Sequence, residues 1–306
     1  MMKAEERRTE GGTGVYCALI VDLKDSRKYP PESRNELQAF LIETAEMLNE
    51  IFGLTPEGSL SFSGGDELQG LFPGADAAFL CLRLLRRIFF PIPLHAGLGL
   101  GEWTTVVPAR NSYYQDGSAY HRAREAIDWA KRDTDNSALL MSGGEGDPGR
   151  NAMLNACFRL TEQNTAHQNQ LSLLLEFLYP ILPEGAGAEA ARGLSRLPAL
   201  MRKRDELEVF AGERGRIRES VFHSKTLAGP YGPPSERLEW DGGRLCSPFA
   251  HPYGAASTVA DAAGLTRQAV DTALRASNVY AERALAIALA EMFSRTWEEL
   301  RQKRPL

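Results

Sequence analysis

The feature that most constrains the fold is the order in which strand-like and helix-like segments alternate. Residues 15–21 (VYCALIV) form a short, wholly apolar run that ends at Asp22, which is typical of a buried strand. A helical pattern follows, in which Ser33 and Glu36 predict a capping box and Gly53 predicts the end. The chain therefore starts with a strand followed by a helix.

Two more strands, a second helix and a fourth strand follow in the pattern. Extended runs at 59–63 and 68–72 flank the turn residues 64–67 (GGDE), which predict a hairpin. Residues 75–90 predict a helix, and 94–101 alternate apolar residues with polar or glycine positions at a period of two. The order β-α-β-β-α-β predicts an α+β fold of the ferredoxin-like, or split βαβ, plan.

The length allows two domains or one large one. The chain has 306 residues, enough for two domains of ordinary size. We expect the first over 13–145, completed by a helix at 118–132 and a short strand at 137–141. The second, over 150–306, is expected to be mostly helical.

Composition excludes several classes of protein. Lys plus Arg number 35 and Asp plus Glu 40, so the net charge of −5 provides no global positive field for nucleic acid. The cysteines at 17, 81, 157 and 246 lie too far apart for CxxC pairs, which favours a reducing cytoplasm. The sequence contains no signal peptide and no apolar run of membrane-spanning length, so we expect no membrane partner.

The predicted topology brings two carboxylates together. In a ferredoxin-like sheet the first and third strands are antiparallel neighbours, so Asp22 and Asp66 should meet. Mg²⁺ is commonly held by one or two carboxylates plus substrate phosphates. We therefore predict a Mg²⁺ or Mn²⁺ site at Asp22 and Asp66, with Asp25 or the carbonyl of Leu23 as a further ligand.

Glycines around this site favour a nucleotide. Gly64 and Gly65 would let the backbone approach a phosphate, and the bare face at Gly97 and Gly99 would leave room for a ring or ribose. The alternative is that Gly-Gly-Asp is a hairpin turn and Asp22 an ordinary strand-end residue.

A second motif lies near the C-terminus, at 256–276. With Gly264 as the turn glycine, the spacing matches a helix-turn-helix that Thr266 caps. Its buried positions would be Val259, Ala260, Ala263, Leu265 and Val270. Its exposed face would present DNA-contacting side chains, namely Arg267, Gln268, Thr272 and Arg275. The alternative is a plain helical hairpin. Residues 256–306 hold seven basic and six acidic residues, so one copy carries little net positive charge. DNA binding would therefore require a homodimer.

Several of these motifs, taken together, resemble the SatD family of bacterial proteins. The resemblance covers about residues 15 to 132 and rests on four spaced groups of residues. They are Asp22 with Ser26-Arg27, the run at 65–71 (GDELQGL), the run at 97–105 (GLGLGEWTT), and the run at 116–126 (DGSAYHRAREA). Members of that family usually carry a C-terminal helix-turn-helix, which agrees with the second motif.

The first domain is also distantly similar to the palm of class III nucleotidyl cyclases and GGDEF diguanylate cyclases. The resemblance implies metal-binding carboxylates at Asp22 and Asp66 and a transition-state arginine at Arg124, with Glu67 and Tyr120 beside the nucleotide. Cyclases have an asparagine at the position of Tyr120 and a purine-reading lysine where this chain has an apolar residue near Phe62.

Two functions therefore stay open. One is a regulator in which a metal-nucleotide sensor is fused to a DNA-binding module. The other is an active nucleotidyl cyclase or nucleotidyltransferase whose C-terminal half serves dimerisation or partner binding. The paired acids favour the enzyme, and the missing asparagine and lysine favour the regulator.

Overall fold

The centre of the protein is a five-stranded mixed sheet. A computed structural model describes residues 14–64, 67–104, 107–108, 110–210, 220–222, 239–241, 244–246 and 249–303. The strands are β1 (Val15–Leu23), β2 (Ser61–Gly64), β3 (Glu67–Phe72), β4 (Leu94–Glu102) and β5 (Ala138–Met141). Their order is β2-β3-β1-β4-β5, in which β5 runs parallel to β4 and the other neighbours are antiparallel. The predicted α+β class is confirmed, and β1 and β3 are antiparallel neighbours.

Helices surround the sheet and form most of the C-terminal half. Between the strands lie α1 (Pro31–Phe52), α2 (Ala75–Phe89) and α3 (Ser118–Arg132). After β5 come α4 (Asp147–Glu162), α5 (Ala166–Leu178), α6 (Ala188–Ser195), α7 (Leu197–Glu206), α8 (Ala255–Ala263), α9 (Arg267–Ala276) and α10 (Val279–Gln302). Two short strands, β6 (Glu239–Asp241) and β7 (Arg244–Cys246), form a hairpin.

The start of α1 differs from the prediction. The helix begins at Pro31, and Pro30 precedes it without a side-chain cap, so the expected capping box at Ser33 does not form. Proline suits the first helical position because its missing N–H would have no partner there and its φ is already helical. The Ser33 motif lies one turn too late because this proline starts the helix first.

The two faces of the sheet have different partners. Cys17, Leu19 and Val21 of β1 belong to the large core that α1 and α2 share. The alternating residues Ala18 and Ile20 belong to a smaller apolar layer under α3. Because side chains alternate along a strand, Asp22 is on the α3 face as well.

Helix α3 packs directly on the glycine face of β4. A Cβ atom built at Gly97 would lie 2.1 Å from the carbonyl oxygen of Ala123, and one built at Gly99 would lie 2.1 Å from that of Ala119. Both separations are far below van der Waals contact. The glycines therefore set the distance between sheet and helix, and any larger residue would move α3.

The core continues from the sheet into the helical half. Helix α2 is buried on nearly all sides, as expected for a helix between two layers. In the same hydrophobic cluster lie Leu171 of α5, Val270 of α9 and Phe293 of α10. The boundary predicted near 145–150 falls just before α4, and the buried core crosses it.

A buried ion-pair network connects these layers where α2, α5 and α10 meet. Its five side chains are at most 4% exposed; they are Arg83, Arg87, Glu176, Glu282 and Arg283. Glu176 accepts from Arg83 Nη2 at 2.6 Å and from Arg283 Nη1 at 2.5 Å. Glu282 accepts from Arg83 Nε at 2.7 Å and from Arg87 Nη2 at 2.5 Å.

The network keeps its carboxylates ionised. Burial alone would raise the pKa of Glu176, but the charges of Arg283 and Arg83 outweigh it and hold that pKa well below its ordinary value. The pKa of Glu282 is lowered in the same way, against burial, by Arg83 and Arg87. Each carboxylate therefore stabilises the fold only while its arginine partners are present.

Among the residues that the structure describes, no helix has both the length and the apolar composition that crossing a membrane requires.

The network predicts that Glu176→Gln strongly destabilises the protein. Loss of this carboxylate leaves Arg283 without its ion-pair partner and three buried arginines with the single carboxylate of Glu282, which costs about 3 to 5 kcal/mol. Urea unfolding should show this loss in the free energy of unfolding. The control is Glu206→Gln, an exposed residue on α7, for which we expect a change within about 0.5 kcal/mol.

The pH dependence provides a second readout of the same variant. Because the folded pKa of Glu176 lies below its ordinary value of 4.5, its stabilising effect is present above that pH and is lost as the pH falls further. Wild type should therefore lose more stability than Glu176→Gln between pH 7 and pH 3. Equal losses, or equal stability of Glu176→Gln and Glu206→Gln at pH 7, would refute the role of the network.

The close packing of α3 predicts that Gly99→Ala is destabilising. The added methyl would overlap the backbone of α3 at Ala119 and Ala123, and overpacking of this kind costs about 1 to 3 kcal/mol or more. The matched control is Gly149→Ala in α4, where a Cβ meets nothing within 4 Å. The control should be neutral or stabilising by up to about 1 kcal/mol, as measured by urea unfolding, because alanine favours helix. Similar effects of both substitutions would contradict the packing described here.

Candidate functional site

Three polar side chains form a row across one end of the sheet. The register pairs Asp22 of β1 with Glu67 of β3 on one side and with His95 of β4 on the other. Directly paired residues on neighbouring strands point to the same face, so all three lie on the face that α3 covers. The meeting of strand ends predicted from the sequence is thus present, with Glu67 opposite Asp22.

Helix α3 adds two cations above this row. Lys131 Nζ lies 2.7 Å from Asp22 Oδ2. Arg124 makes a bidentate pair with Glu67, with Nη1 2.5 Å from Oε2 and Nη2 2.6 Å from Oε1. Positions 124 and 131 are two turns apart on one helix face, which is why both side chains reach the same end of the sheet. We refer to Asp22, Glu67, Arg124 and Lys131 as the charged row.

The charged row is half open to solvent and electrostatically balanced. The side chains of Asp22 and Glu67 are 18% and 15% exposed, whereas that of Arg124 is 44% exposed. Burial alone would raise the pKa of Glu67, but hydrogen bonds from Arg124 and Ser63 outweigh it and lower that pKa. Glu67 therefore remains a carboxylate, and Asp22 and Glu67 are each paired with a cation of α3.

His95 lies beside the cations. Burial lowers the pKa of His95, and the nearby charges of Lys24 and Lys131 lower it further. A neutral imidazole next to Asp22 is able to accept a proton or a hydrogen bond.

The donor set at the charged row suits a hydrated divalent cation with a phosphate ligand. Among the residues that the structure describes, no group of three or more His, Cys, Asp or Glu side chains is placed to hold a metal on its own. Two carboxylates on neighbouring strands are nevertheless enough for Mg²⁺ when phosphates and waters complete its shell. Asp22 and Glu67 fit that requirement, and a bound cation would have to displace Lys131 and Arg124.

The structure does not describe every residue predicted at the hairpin. Gly65 and Asp66 lie outside the described residues, and Gly64 ends β2. Asp25, the further ligand predicted from the sequence, follows β1 in a left-handed conformation and pairs with Lys28 at 2.8 Å. Its role as a metal ligand stays a prediction.

The glycine face of β4 does not leave the room expected for a nucleotide ring. The space above Gly97 and Gly99 is filled by the backbone of α3 at Ala123 and Ala119. The sequence-based reason for a nucleotide contact at these two glycines is therefore wrong, because a helix occupies the bare face.

Tyr120 differs from its expected role for a similar reason. It is only 6% exposed and packs in the apolar layer between α3 and the sheet, so no exposed ring faces a ligand. Its buried hydroxyl has no hydrogen-bond partner among the described residues.

Sequence reasoning missed the contribution of Lys131. The signal was present, since Lys131 follows Arg124 by seven residues on an amphipathic helix. What the sequence lacked was the direction in which α3 crosses the sheet.

The second candidate site is formed by α8 and α9. Gly264 ends α8 with a left-handed φ of 66°, and the Thr266 hydroxyl accepts from the Ala269 N–H to cap α9. The predicted interior residues Val259, Ala260, Ala263 and Val270 are buried. Leu265 was expected to be buried and is 39% exposed, because it lies in the turn outside the contact between the helices.

The outer face of α9 presents the side chains predicted to contact DNA. Arg267, Gln268, Thr272 and Arg275 are all exposed. Arg275 is paired with Asp271 on the preceding turn, Nε to Oδ2 at 2.8 Å. The face therefore carries one arginine in an ion pair and one, Arg267, at the start of the helix.

Comparison with known families agrees with the resemblance seen in the sequence. The SatD family model matches residues 16–178, which spans β1 to the end of α5 and includes the whole charged row. No curated protein and no solved structure matches the chain. Because the family model covers more than half of the 306 residues, the chain belongs to the SatD family.

Proposed function

We propose that this protein is a regulator in which a palm-like, ferredoxin-like domain binds a divalent metal and a nucleotide and is coupled to a DNA-binding helix-turn-helix. The observation that carries the first half is the charged row. Two carboxylates and two cations are in contact at one end of the sheet, and a metal-bound polyphosphate requires groups of both kinds.

In this proposal, the metal replaces the cations that pair with the acids of the charged row. Mg²⁺ or Mn²⁺ would be held by Asp22 with Asp66 or Glu67, and it would supply charge neutralisation at the phosphates. Asp22 and Glu67 would exchange Lys131 and Arg124 for the metal. The released Lys131 and Arg124 would then be free to contact phosphate oxygens.

A nucleotidyl cyclase or nucleotidyltransferase is the second candidate, and Arg124 is the observation that favours it. Its guanidinium already makes a bidentate contact with one carboxylate of the row. Freed from Glu67, it would stabilise the charge that develops on a transferring phosphoryl group. Mass spectrometry of protein incubated with each NTP and Mn²⁺ separates the candidates, because only the enzyme forms a new product that Arg124→Gln suppresses.

The DNA half of the proposal rests on the exposed face of α9. Helix N-terminal residues most often meet base edges, so Arg267 and Gln268 would read sequence while Arg275 would contact phosphate. The nearly neutral charge of this region supports binding as a homodimer, since two copies double the phosphate contacts. The free thiols of Cys17, Cys81 and Cys157, all buried, suit the cytoplasmic location that we propose with it.

Metal-nucleotide binding predicts a thermal shift that depends on the acids. With a hundredfold excess of NTP and Mn²⁺ over Kd, the Tm of wild type should rise by about 4 °C. Asp22→Asn and Asp66→Asn should abolish most of that rise. The matched control is Glu125→Gln, an exposed residue on α3, which should keep the full shift.

Substitution of Lys131 should change metal affinity in the opposite direction to substitution of the acids. Lys131→Met removes a cation that competes for Asp22, so this variant should bind Mn²⁺ alone more tightly than wild type, as measured by calorimetric titration. No shift in wild type with any NTP, or the same shift in all variants, would rule out the metal-nucleotide site.

The recognition helix predicts a difference between two arginines. Arg267→Ala should relax preference at one or two base positions, at a cost of about 1 to 3 kcal/mol. Arg275→Ala should weaken all sequences alike and reduce the salt slope by about one. Selection from genomic DNA followed by titration at two salt concentrations would measure both effects.

Arg295 on α10 provides the matched control for Arg275. Each is exposed and each pairs with an acid one turn earlier on its own helix, Arg275 with Asp271 and Arg295 with Glu291. Arg295→Ala should leave DNA affinity unchanged. If no enriched sequence is recovered with or without Mn²⁺ and nucleotide, α8 and α9 are a helical hairpin that contacts protein instead.

A further inference from the structure

A cavity lies on the α2 face of the sheet, which is opposite to the face that α3 covers. It opens where the last turn of α2 and the following segment meet α4 and α5, and its volume is about 210 Å³. That is many times the roughly 15 Å³ that a single water requires. Its lining includes three arginines, Arg83, Arg86 and Arg87.

The cations around this cavity are not fully neutralised. Arg83, Arg87 and Arg283 share two carboxylates, those of Glu176 and Glu282. Arg87 is 4% exposed and donates Nη2 to Glu282, while its Nε and Nη1 are buried without a hydrogen-bond partner among the described residues. A buried guanidinium with two unsatisfied nitrogens is costly unless an acceptor reaches it.

Arg86 adds a further charge at the same wall. Its Nη1 donates hydrogen bonds to two neutral oxygens, the Leu94 carbonyl at 3.3 Å and Ser137 Oγ at 3.0 Å. The guanidinium also stacks over the ring of Phe158, 4.3 Å from its centroid. Burial lowers the pKa of Arg86 to about 10, and the charge of Glu162, exposed at the rim, opposes that effect.

The remaining lining resembles that of a site for a small organic anion. Neutral polar side chains of Thr161, Gln163 and Asn169 stand beside the arginines. Apolar residues form another part of the wall, including Phe90 and Ile92. A mainly apolar surface with a few convergent charged and polar groups is the usual composition of a small-molecule site.

We propose that this cavity binds the phosphate group of a small phosphorylated molecule, with Arg86 and Arg87 on the phosphate and Phe90 and Ile92 beside the organic part. Phosphate suits the site because guanidinium groups donate to its oxygens in a fork geometry and because a dianion matches the excess of buried positive charge. The ligand would contact the sheet half through α2 and the helical half through α4 and α5.

Calorimetric titration at constant ionic strength in chloride tests this site with two probes, inorganic phosphate and phenyl phosphate. Saturable binding of either supports the proposal, and tighter binding of phenyl phosphate identifies an ester as the ligand. Arg86→Gln should bind at least about tenfold more weakly, since a charged hydrogen bond is lost. Glu162→Gln should bind a few-fold more tightly, because it removes the opposing negative charge at the rim.

Controls separate this site from the charged row. Arg295→Gln, an exposed change on α10, should bind as wild type does. Asp22→Asn should keep phosphate binding, and Arg86→Gln should keep the thermal shift with Mn²⁺ and NTP. The proposal is overturned if wild type shows no saturable binding, or if Arg86→Gln and Arg295→Gln bind phosphate equally well. If Arg86→Gln fails to fold, the deciding variant is Glu162→Gln, and unchanged phosphate affinity in that variant overturns the proposal.

Discussion

The contact between α3 and the glycine face of β4 is the constraint on which the candidate site depends. With no side chain at Gly97 and Gly99, the helix backbone lies directly on the strand, at separations that a single Cβ would violate. That close approach is what lets Arg124 and Lys131 reach Glu67 and Asp22. If ordinary side chains held the helix farther away, Arg124 and Lys131 would not reach the two acids at this end of the sheet.

The protein contains two clusters of charge that differ in balance. At the charged row, two carboxylates pair with two cations close to solvent, where each ion pair contributes little to stability. In the network between α2, α5 and α10 the charges are buried and cations exceed acids. Because the charges of that second cluster are desolvated, each depends on its partners far more than the partly exposed charges of the row do.

The helical half is connected to the sheet by buried groups rather than by a linker. Trp297 of α10 donates its indole N–H to the carbonyl of Val15 at 2.6 Å, at the start of β1. Tyr179, after α5, shares a hydrogen bond of 3.0 Å with Thr258 of α8. The pair α8 and α9 thus packs on the same hydrophobic core as α1, α2 and one face of the sheet.

The sequence by itself determined the order of the elements, because alternation, glycine stops and apolar periodicity are local signals. It predicted α3 at 118–132 and the meeting of β1 with β3, and it placed Gly264 and Thr266 at the turn between α8 and α9. Membership of the SatD family was visible in the same motifs.

Only the tertiary structure decided which side chains face one another. From sequence alone, the glycine face of β4 is equally compatible with a bound ligand and with a closely packed helix. In the structure, α3 crosses β4 and occupies that face. Arg83, Glu176 and Glu282 are distant in sequence, and nothing local marks them as partners. Pairing between remote charges depends on how whole helices pack, and that is a property of the assembled core.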